Sequence, residues 1–364
     1  MRSKVGILTW HQYDNFGSML QAYALQKTIE RMDMDCEIID YYDLNTIPAP
    51  SKLAKAKFLI KKLLMTVGLN RYVDNYFSFQ RFYYDKQKKS VTVTNDQTLK
   101  GLAKKYQYLV FGSDQIWAPN VFNPVYMGDF AEGLNVRLIS YAASIGLNDI
   151  PEMLRPVYSR LLSRFSAIAV REEMGKQLLE EQCGISAEVV LDPTLLLNKE
   201  EYRQLQRPVL SIEEPYVFCY FLNKDHQYRE RVEKYAQKHG YKVYGFSLCE
   251  QDKEWMELLP ATGPEEFLWL VDHAHTIFTD SYHGTIFSIK FHKDFWTFER
   301  FASSDPVCQN SRIQQLDRAL GVGKRFLPLD REPKEDDALD YESIDRKWAD
   351  WRNRSLSYLQ EVLK

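Results

Sequence analysis

No stretch of these 364 residues stays apolar for the ~18 positions that a membrane-spanning helix requires, so a helical crossing of the bilayer is excluded. An excess of one charge is missing too. Lys plus Arg number 47 against 50 for Asp plus Glu, a net charge of −3, which gives no support to a general nucleic-acid binder with its strongly basic domain. Cysteine is scarce. Cys36, Cys183, Cys219, Cys249 and Cys308 are odd in number and far apart, with no C-x-x-C among them. Neither a disulfide framework nor a zinc site is suggested, and no metal is expected. Internal repeats and low-complexity segments are absent from the sequence. Met1 to Trp10 carries two basic residues and few apolar ones, too short a run for a signal-peptide core, and the expectation is a cytoplasmic protein.

What is present is globular. A composition of 45% hydrophobic and 27% charged residues rules out disorder as the main state. The 364 residues are enough for two domains of ordinary size. Aromatics are plentiful, with 23 Tyr, 20 Phe and 7 Trp; such rings suit a large core and a sugar-stacking cleft alike.

The first forty residues read as strand, helix, strand. Val5–Trp10 is rich in strand formers, His11–Ser18 has loop chemistry, and Leu20, Ala24, Leu25 and Ile29 recur at helical spacing before a second strand at Glu37–Tyr41. A crossover of this length predicts a right-handed βαβ unit and a parallel sheet. Short apolar strands then run repeatedly into small or polar residues: Tyr108–Phe111 into Gly112-Ser113-Asp114, Arg137–Tyr141 into Ala142–Gly146, Ala167–Val170 into Arg171, and Glu188–Leu191 into Asp192-Pro193-Thr194. Such strand ends line the ligand crevice of a parallel sheet. Arg207-Pro208 and Glu213-Glu214-Pro215 interrupt the pattern, and a second alternating set follows from Tyr216 to Phe298. The expected organisation is an N-terminal Rossmann-like domain over 1–197, a second over 208–330, and a helical tail over 331–364.

Leu44 to Val73 holds six basic residues, Lys52, Lys55, Lys57, Lys61, Lys62 and Arg71, and no acid. On a helical wheel Leu53, Ile60, Leu63, Leu64 and Val67 cluster, with Lys55 and Lys62 opposite. Two readings stand. The 52–67 segment rests on an anionic membrane surface, or it is an ordinary amphipathic helix with a solvated basic face.

Four places have the residue types that chemistry needs. Asp280-Ser281-Tyr282-His283-Gly284-Thr285 follows a strand and opens a helix, so unpaired backbone N–H groups, at Gly284 among others, would attract an anion, with Ser281 and Thr285 adding hydroxyls. An anion there would favour protonated His283, as a general acid requires. The same histidine reads as a helix cap or a partner of Asp280. Arg171, at a strand end, offers a fork for carboxylate or phosphate, or pairs with Glu172 or Glu173. Asn15 and Gly17 let backbone approach a ligand at a helix start, and Asp114 with Gln115 forms a polar strand-end loop next to Trp117.

Taken in order, these segments resemble the polysaccharide pyruvyl transferase family. The resemblance lies in Gly6-Ile7-Leu8-Thr9 with Asn15-Phe16-Gly17 and Leu20–Leu25, then Phe111–Trp117, Tyr141–Gly146, Val170-Arg171-Glu172, Leu191–Leu196, Thr279–Thr285 and Asn310–Ile313, spread over roughly residues 4 to 320. It implies an α/β fold similar to the GT-B glycosyltransferases, two Rossmann-like domains facing across a cleft. It also implies transfer of a pyruvyl group from phosphoenolpyruvate to two hydroxyls of a sugar in a polysaccharide or lipid-linked precursor, leaving a cyclic ketal, with no cofactor. On this resemblance His283 is catalytic, Arg171, Ser281, Gly284, Thr285 and Arg312 bind the donor, and Asn15, Gly17, Asp114 and Gln115 face the acceptor or cleft. The first domain would be the acceptor side and the second the donor side. A place at the inner membrane face would follow from the basic segment and a lipid-linked acceptor. One position departs from the family: where many relatives have the arginine of Ser-x-Arg-x-His, this chain has Ser281, and Arg312 is the candidate to supply that charge. The other readings are a GT-B glycosyltransferase using a nucleotide sugar, and a non-catalytic carbohydrate-binding relative.

Overall fold

The computed structural model describes residues 3–43, 51–66, 75–209, 212, 214–223, 227–259, 262–301, 310–328, 331–333 and 338–364. Val67, Arg71, Glu213 and Cys308, each singled out above, lie outside the described residues.

Buried short strands build two parallel sheets. The first consists of β1 (Lys4–Leu8), β2 (Asp35–Ile38), β3 (Tyr108–Phe111) and β4 (Arg137–Ser140) in the order β2-β1-β3-β4. Single bridges from Ile139 to Ala167 and from Ala143 to Val170 extend it toward the pair β5 (Ala169–Val170) and β6 (Glu188–Val189). The second sheet holds β7 (Tyr216–Phe221), β8 (Lys242–Ser247), β9 (Glu257–Leu258), β10 (Thr276–Thr279), β11 (Asp294–Phe298) and β12 (Phe326–Leu327), ordered β12-β11-β10-β7-β8-β9. Their apolar runs are continuous because helices cover both faces of a parallel sheet. In the first half these are α1 (Phe16–Glu30), α2 (Lys52–Thr66), α3 (Asn75–Asp85), α4 (Asp96–Ala103), α5 (Arg155–Leu162), α6 (Glu173–Cys183) and α7 (Lys199–Arg203). The second half adds α8 (Arg229–His239), α9 (Pro264–His273), α10 (Tyr282–Lys290), α11 (Ser311–Leu320) and α12 (Tyr341–Val362).

Two boundaries differ from the sequence expectation. The second strand is Asp35–Ile38 and not Glu37–Tyr41, because the ladder with β1 starts at Lys4 opposite Asp35 and is complete by Ile7 opposite Ile38. Tyr41 turns away to bridge Val93. The sequence expectation for the helix after β10 is Gly284–Phe291, but α10 starts at Tyr282, since the Ser281 side chain accepts from the Gly284 N–H and caps it.

The two sheets share one core. Phe16, at the start of α1, stacks on Phe79 and Phe267 with ring centroids 5.0 and 4.6 Å apart and meets Tyr220 and Phe246 edge-on. Buried Arg81 of α3 reaches Glu265 and Glu266 of α9 at 2.8 and 2.6 Å. Helix α12 returns to the first half, where Tyr358 donates to the Ser140 carbonyl and the Ser355 hydroxyl accepts from the Leu191 N–H. Three donors then fix three consecutive carbonyls. Trp348 takes Leu195, Arg352 takes Leu196, and fully buried Lys290 at the end of α10 takes Leu197 at 2.6 Å. The turn that follows Asp192 is thereby held by both α10 and α12.

Candidate active site

The carboxyl ends of β1, β3, β6 and β10 converge, and the residue at their centre is Asp192. Its Oδ2 lies 2.9 Å from Arg171 Nη1, 3.5 Å from His283 Nε2 and 3.5 Å from the Ser113 hydroxyl. Its Oδ1 accepts from the Thr194 N–H at 2.9 Å and the Thr194 hydroxyl at 2.6 Å. Burial alone would raise this carboxyl, but His283, Arg171 and Thr194 together hold it well below the usual carboxylate range. Asp192 is therefore an anion at any working pH. His283 pairs with it and not with Asp280.

Arg171 and His283 do come together, over one oxygen of that carboxylate. Arg171 is 2% exposed and does not line the cavity. Its Nε donates to Glu172 Oε1 at 3.0 Å, the Ser144 hydroxyl reaches the same oxygen at 2.6 Å, and its guanidinium carbon lies 4.7 Å from the centre of the Tyr282 ring. Burial opposes its charge, yet Glu172, Tyr282 and Asp192 outweigh that and raise its pKa. Nε and Nη1 are thus spent on two buried carboxylates, whereas Nη2 makes no hydrogen bond.

The cavity beside His283 has a volume of about 300 Å³. Asn15, Asp114 and Gln115 wall it from the first half, and Ser281, His283 and Arg312 from the second. Asn15 also caps α1 by accepting from the Ser18 N–H, and the Ser18 hydroxyl donates to Asp114 Oδ2 at 2.5 Å. Gly17 sits under the imidazole: a Cβ on it would fall 2.0 Å from His283 Nδ1, so only glycine permits the approach. Two expected contacts are elsewhere. Thr285 gives its hydroxyl to the Ser281 carbonyl and shares it with Thr297, 2.9 Å in each case, inside the core. Gly284 packs on Thr279, where a Cβ would fall 2.4 Å from the hydroxyl, and does not line the cavity.

Positive charge comes from two arginines on the cavity wall, Arg312 and the unanticipated Arg300. Arg312 also lies 5.7 Å from the Tyr282 ring. Burial, then Arg171, push its pKa down to about 10, and it stays cationic at neutral pH. Asp192, Tyr282 and Arg300 were missed as site residues. The Asp192-Pro193-Thr194 strand end was a visible signal for the first, whereas nothing local distinguishes Arg300.

Asp280 lines the cavity as well and accepts from the Leu222 and Asn223 N–H groups at 2.7 Å each. Burial outweighs those bonds and Arg300 and raises its pKa from 3.8 to about 6. The sign follows: a group raised on folding adds stability below its unfolded pKa, and that contribution disappears as the pH climbs through about 6. Asp280→Asn should flatten the dependence of the thermal midpoint on pH between pH 4 and pH 7, by roughly the span of one titration. A melting series in which wild type and variant keep parallel profiles would remove this assignment.

A groove of about 570 Å³ opens from the cavity and shares Trp10, Asn15 and Ser18 with it. Tyr13, Phe122 and Asn123 continue it as a face of rings and amides.

Residues 15–300 match the sequence profile of the polysaccharide pyruvyl transferase family. The chain belongs to that family. Solved structures similar to this pyruvyl transferase family member include a UDP-N-acetylglucosamine 2-epimerase from Rickettsia bellii, 8% identical over 100% of this chain and 96% of that one at a TM-score of 0.57. The UDP-GlcNAc 2-epimerase of Neisseria meningitidis, bound to UDP-GlcNAc, is 9% identical over 100% and 99% at a TM-score of 0.56. A glycosyltransferase from Rickettsia africae ESF-5 is 10% identical over 99% and 93% at 0.53. These likenesses establish the GT-B fold for this family member. No curated protein matches the sequence. Ser281, where the resemblance implied an arginine, caps α10 with its hydroxyl, and Arg312 of α11 reaches the same cavity. Among the described residues no group of three His, Cys, Asp or Glu side chains is arranged for a metal ion, and no helix is long and apolar enough to cross a membrane.

Proposed function

We propose that this protein transfers a pyruvyl group from phosphoenolpyruvate to two hydroxyls of one sugar of a polysaccharide or lipid-linked precursor, leaving a cyclic ketal and inorganic phosphate. The observation that carries the reading is the ionised Asp192 facing His283 Nε2, with the imidazole on the wall of a small cavity that two arginines share. An anionic carboxylate at Nε2 keeps a proton on that nitrogen and assigns proton transfer to Nδ1. The donor is a small trianion, and Arg312 and Arg300 supply opposite charge. The methylene carbon of the donor takes one proton, the first sugar hydroxyl adds to the neighbouring carbon, and the second displaces phosphate. The proton of the first hydroxyl ends on the new methyl group and that of the second on phosphate, so no oxidant or further reactant is needed. His283 serves these transfers as general acid and base.

The ring-and-amide groove suits a saccharide, since aromatic faces stack on sugars while amides pair with hydroxyls. It belongs to the proposed acceptor side, residues 1–197, with 208–330 as the donor side and 331–364 as the helical tail. The alternative is a GT-B enzyme with a nucleotide-sugar donor. Thermal-shift titration with phosphoenolpyruvate against a panel of nucleotide sugars separates the two, and stabilisation by a nucleotide sugar alone would reject the pyruvyl reading. Arg312→Ala should weaken phosphoenolpyruvate binding roughly 10–150-fold, the worth of one charge-assisted contact of ~1.5–3 kcal/mol, with Lys a poor replacement. Calorimetric titrations that find all three proteins alike would take Arg312 out of the donor site.

A further inference from the structure

Helix α2 is turned the wrong way for a helix at the surface of a water-soluble protein. Among its described residues Phe58 is the buried one, 7% exposed and packed between the tilted rings of Phe77 and Tyr84 at centroid distances of 5.2 and 4.8 Å. The opposite side presents Leu53, Leu59, Ile60 and Leu63, which are 65, 62, 58 and 63% exposed. At 3.6 residues per turn these four and Ala56 form one stripe pointing away from the protein. The lysines stand at its margins: exposed Lys57 and half-buried Lys61 on one flank, half-buried Lys55 and Lys62 on the other. Lys61 lies over the Phe77 ring, Lys62 pairs with Asp85 at 2.6 Å, and Lys55 donates to Thr92 at 3.1 Å. The helix KLAKAKFLIKKLLMT has no acidic residue. The sequence reading of an ordinary amphipathic helix with a solvated basic face does not account for the exposure of Leu53, Leu59, Ile60 and Leu63.

We infer that α2 docks the protein on an anionic phospholipid surface, with the leucine–isoleucine stripe in the acyl boundary and the flanking lysines at headgroup level. Charge selects this occupant over a second copy of the chain. Two such helices face to face would oppose Lys55, Lys57, Lys61 and Lys62 of one to those of the other, with no carboxylate on either helix. The placement also matters for the groove. Thr92, which holds Lys55, donates to Asp40 at 2.6 Å, and Asp40 in turn lies 3.2 Å from His11, the neighbour of Trp10 on the groove wall. These contacts link α2 to the segment that carries Trp10 of the groove wall. The docking itself rests on α2 alone and not on the transferase reading.

The test is vesicle co-sedimentation of the full chain without donor or acceptor, on phosphatidylcholine alone and on equal phosphatidylglycerol and phosphatidylcholine. Wild type should pellet with the mixed vesicles, less so as salt rises, and remain in solution with the neutral ones. Leu59→Glu combined with Leu63→Glu should lower the partition coefficient at least roughly 100-fold. Both positions are exposed, so the thermal midpoint should not move. Lys57→Gln should weaken binding about 5-fold, the worth of one lysine near an anionic surface. The inference is overturned if wild type stays in solution with both vesicles, pellets equally with both, or is unaffected by the double substitution. Concentration-dependent dimers that the double substitution removes, without vesicle binding, would assign the stripe to a second copy and overturn it too. Turnover of a soluble acceptor is expected to be equal in wild type and double variant, so failure of docking and failure of the transferase reading are separately visible.

Discussion

His283→Ala should lower transfer by about 10²–10⁴-fold while the thermal midpoint hardly moves. The rate loss follows from removing the imidazole that lines the cavity beside both arginines. The small stability effect follows from location: the ring sits at the second position of α10, against Gly17, and not in the apolar interior. Asp192→Asn should cost a comparable factor, since an amide neither stays anionic nor holds the proton on Nε2. The two groups act as one unit, so the double variant should be no slower than the slower single one. Purified variants assayed for phosphate release in the presence of acceptor give the comparison. Multiplicative losses would mean that the 3.5 Å pair does not work as a pair. A collapse of the midpoint in His283→Ala would make the histidine a structural element of the fold.

The periodicities that define this architecture are local, which is why they could be read from the chain. Each short apolar strand followed by small or polar residues is a strand of a parallel sheet, and the interruption near residues 207–215 separates the two sheets. Register was less legible. Nothing in Asp35–Tyr41 itself says that the ladder stops at Ile38, because the partner β1 decides it. Of the two hydroxyls expected at this helix start, that of Thr285 is given to the Ser281 carbonyl, whereas Ser281 caps α10 with its oxygen and still lines the cavity.

Site residues divide the same way. His283, Asn15, Asp114 and Gln115 lie at strand or helix ends, and the topology brings all four to one cavity. Arg171 also lies at a strand end, but its surroundings are two carboxylates from Glu172 and Asp192, and the second is twenty-one positions away. Sequence separation hides such a partner. The outward stripe of α2 was equally hidden, since a helical wheel shows which residues share a face and not which way that face points.

Breaking the buried cluster around Arg171 should have the largest effect on stability. Arg171→Met leaves the Asp192 carboxylate without its 2.9 Å partner and Glu172 without its 3.0 Å partner, both in an interior that water does not reach. Removing one member of a buried ion pair costs about 3–5 kcal/mol, because the desolvated charge left behind is uncompensated. Much of that penalty should ease at acid pH. Arg171 contributes, after His283, to holding the Asp192 carboxyl low, so in the variant its pKa moves up and part of the orphaned charge is relieved as the pH falls. The deficit against wild type is therefore expected to shrink as the pH falls from 8 to 5. Urea unfolding midpoints across that range measure it. Loss of phosphoenolpyruvate binding at 10 °C, where the variant remains folded, would come through Asp192 and His283 and be matched by Asp192→Asn. A variant as stable as wild type would show that Arg171 is held for contact with the donor and not for the cluster.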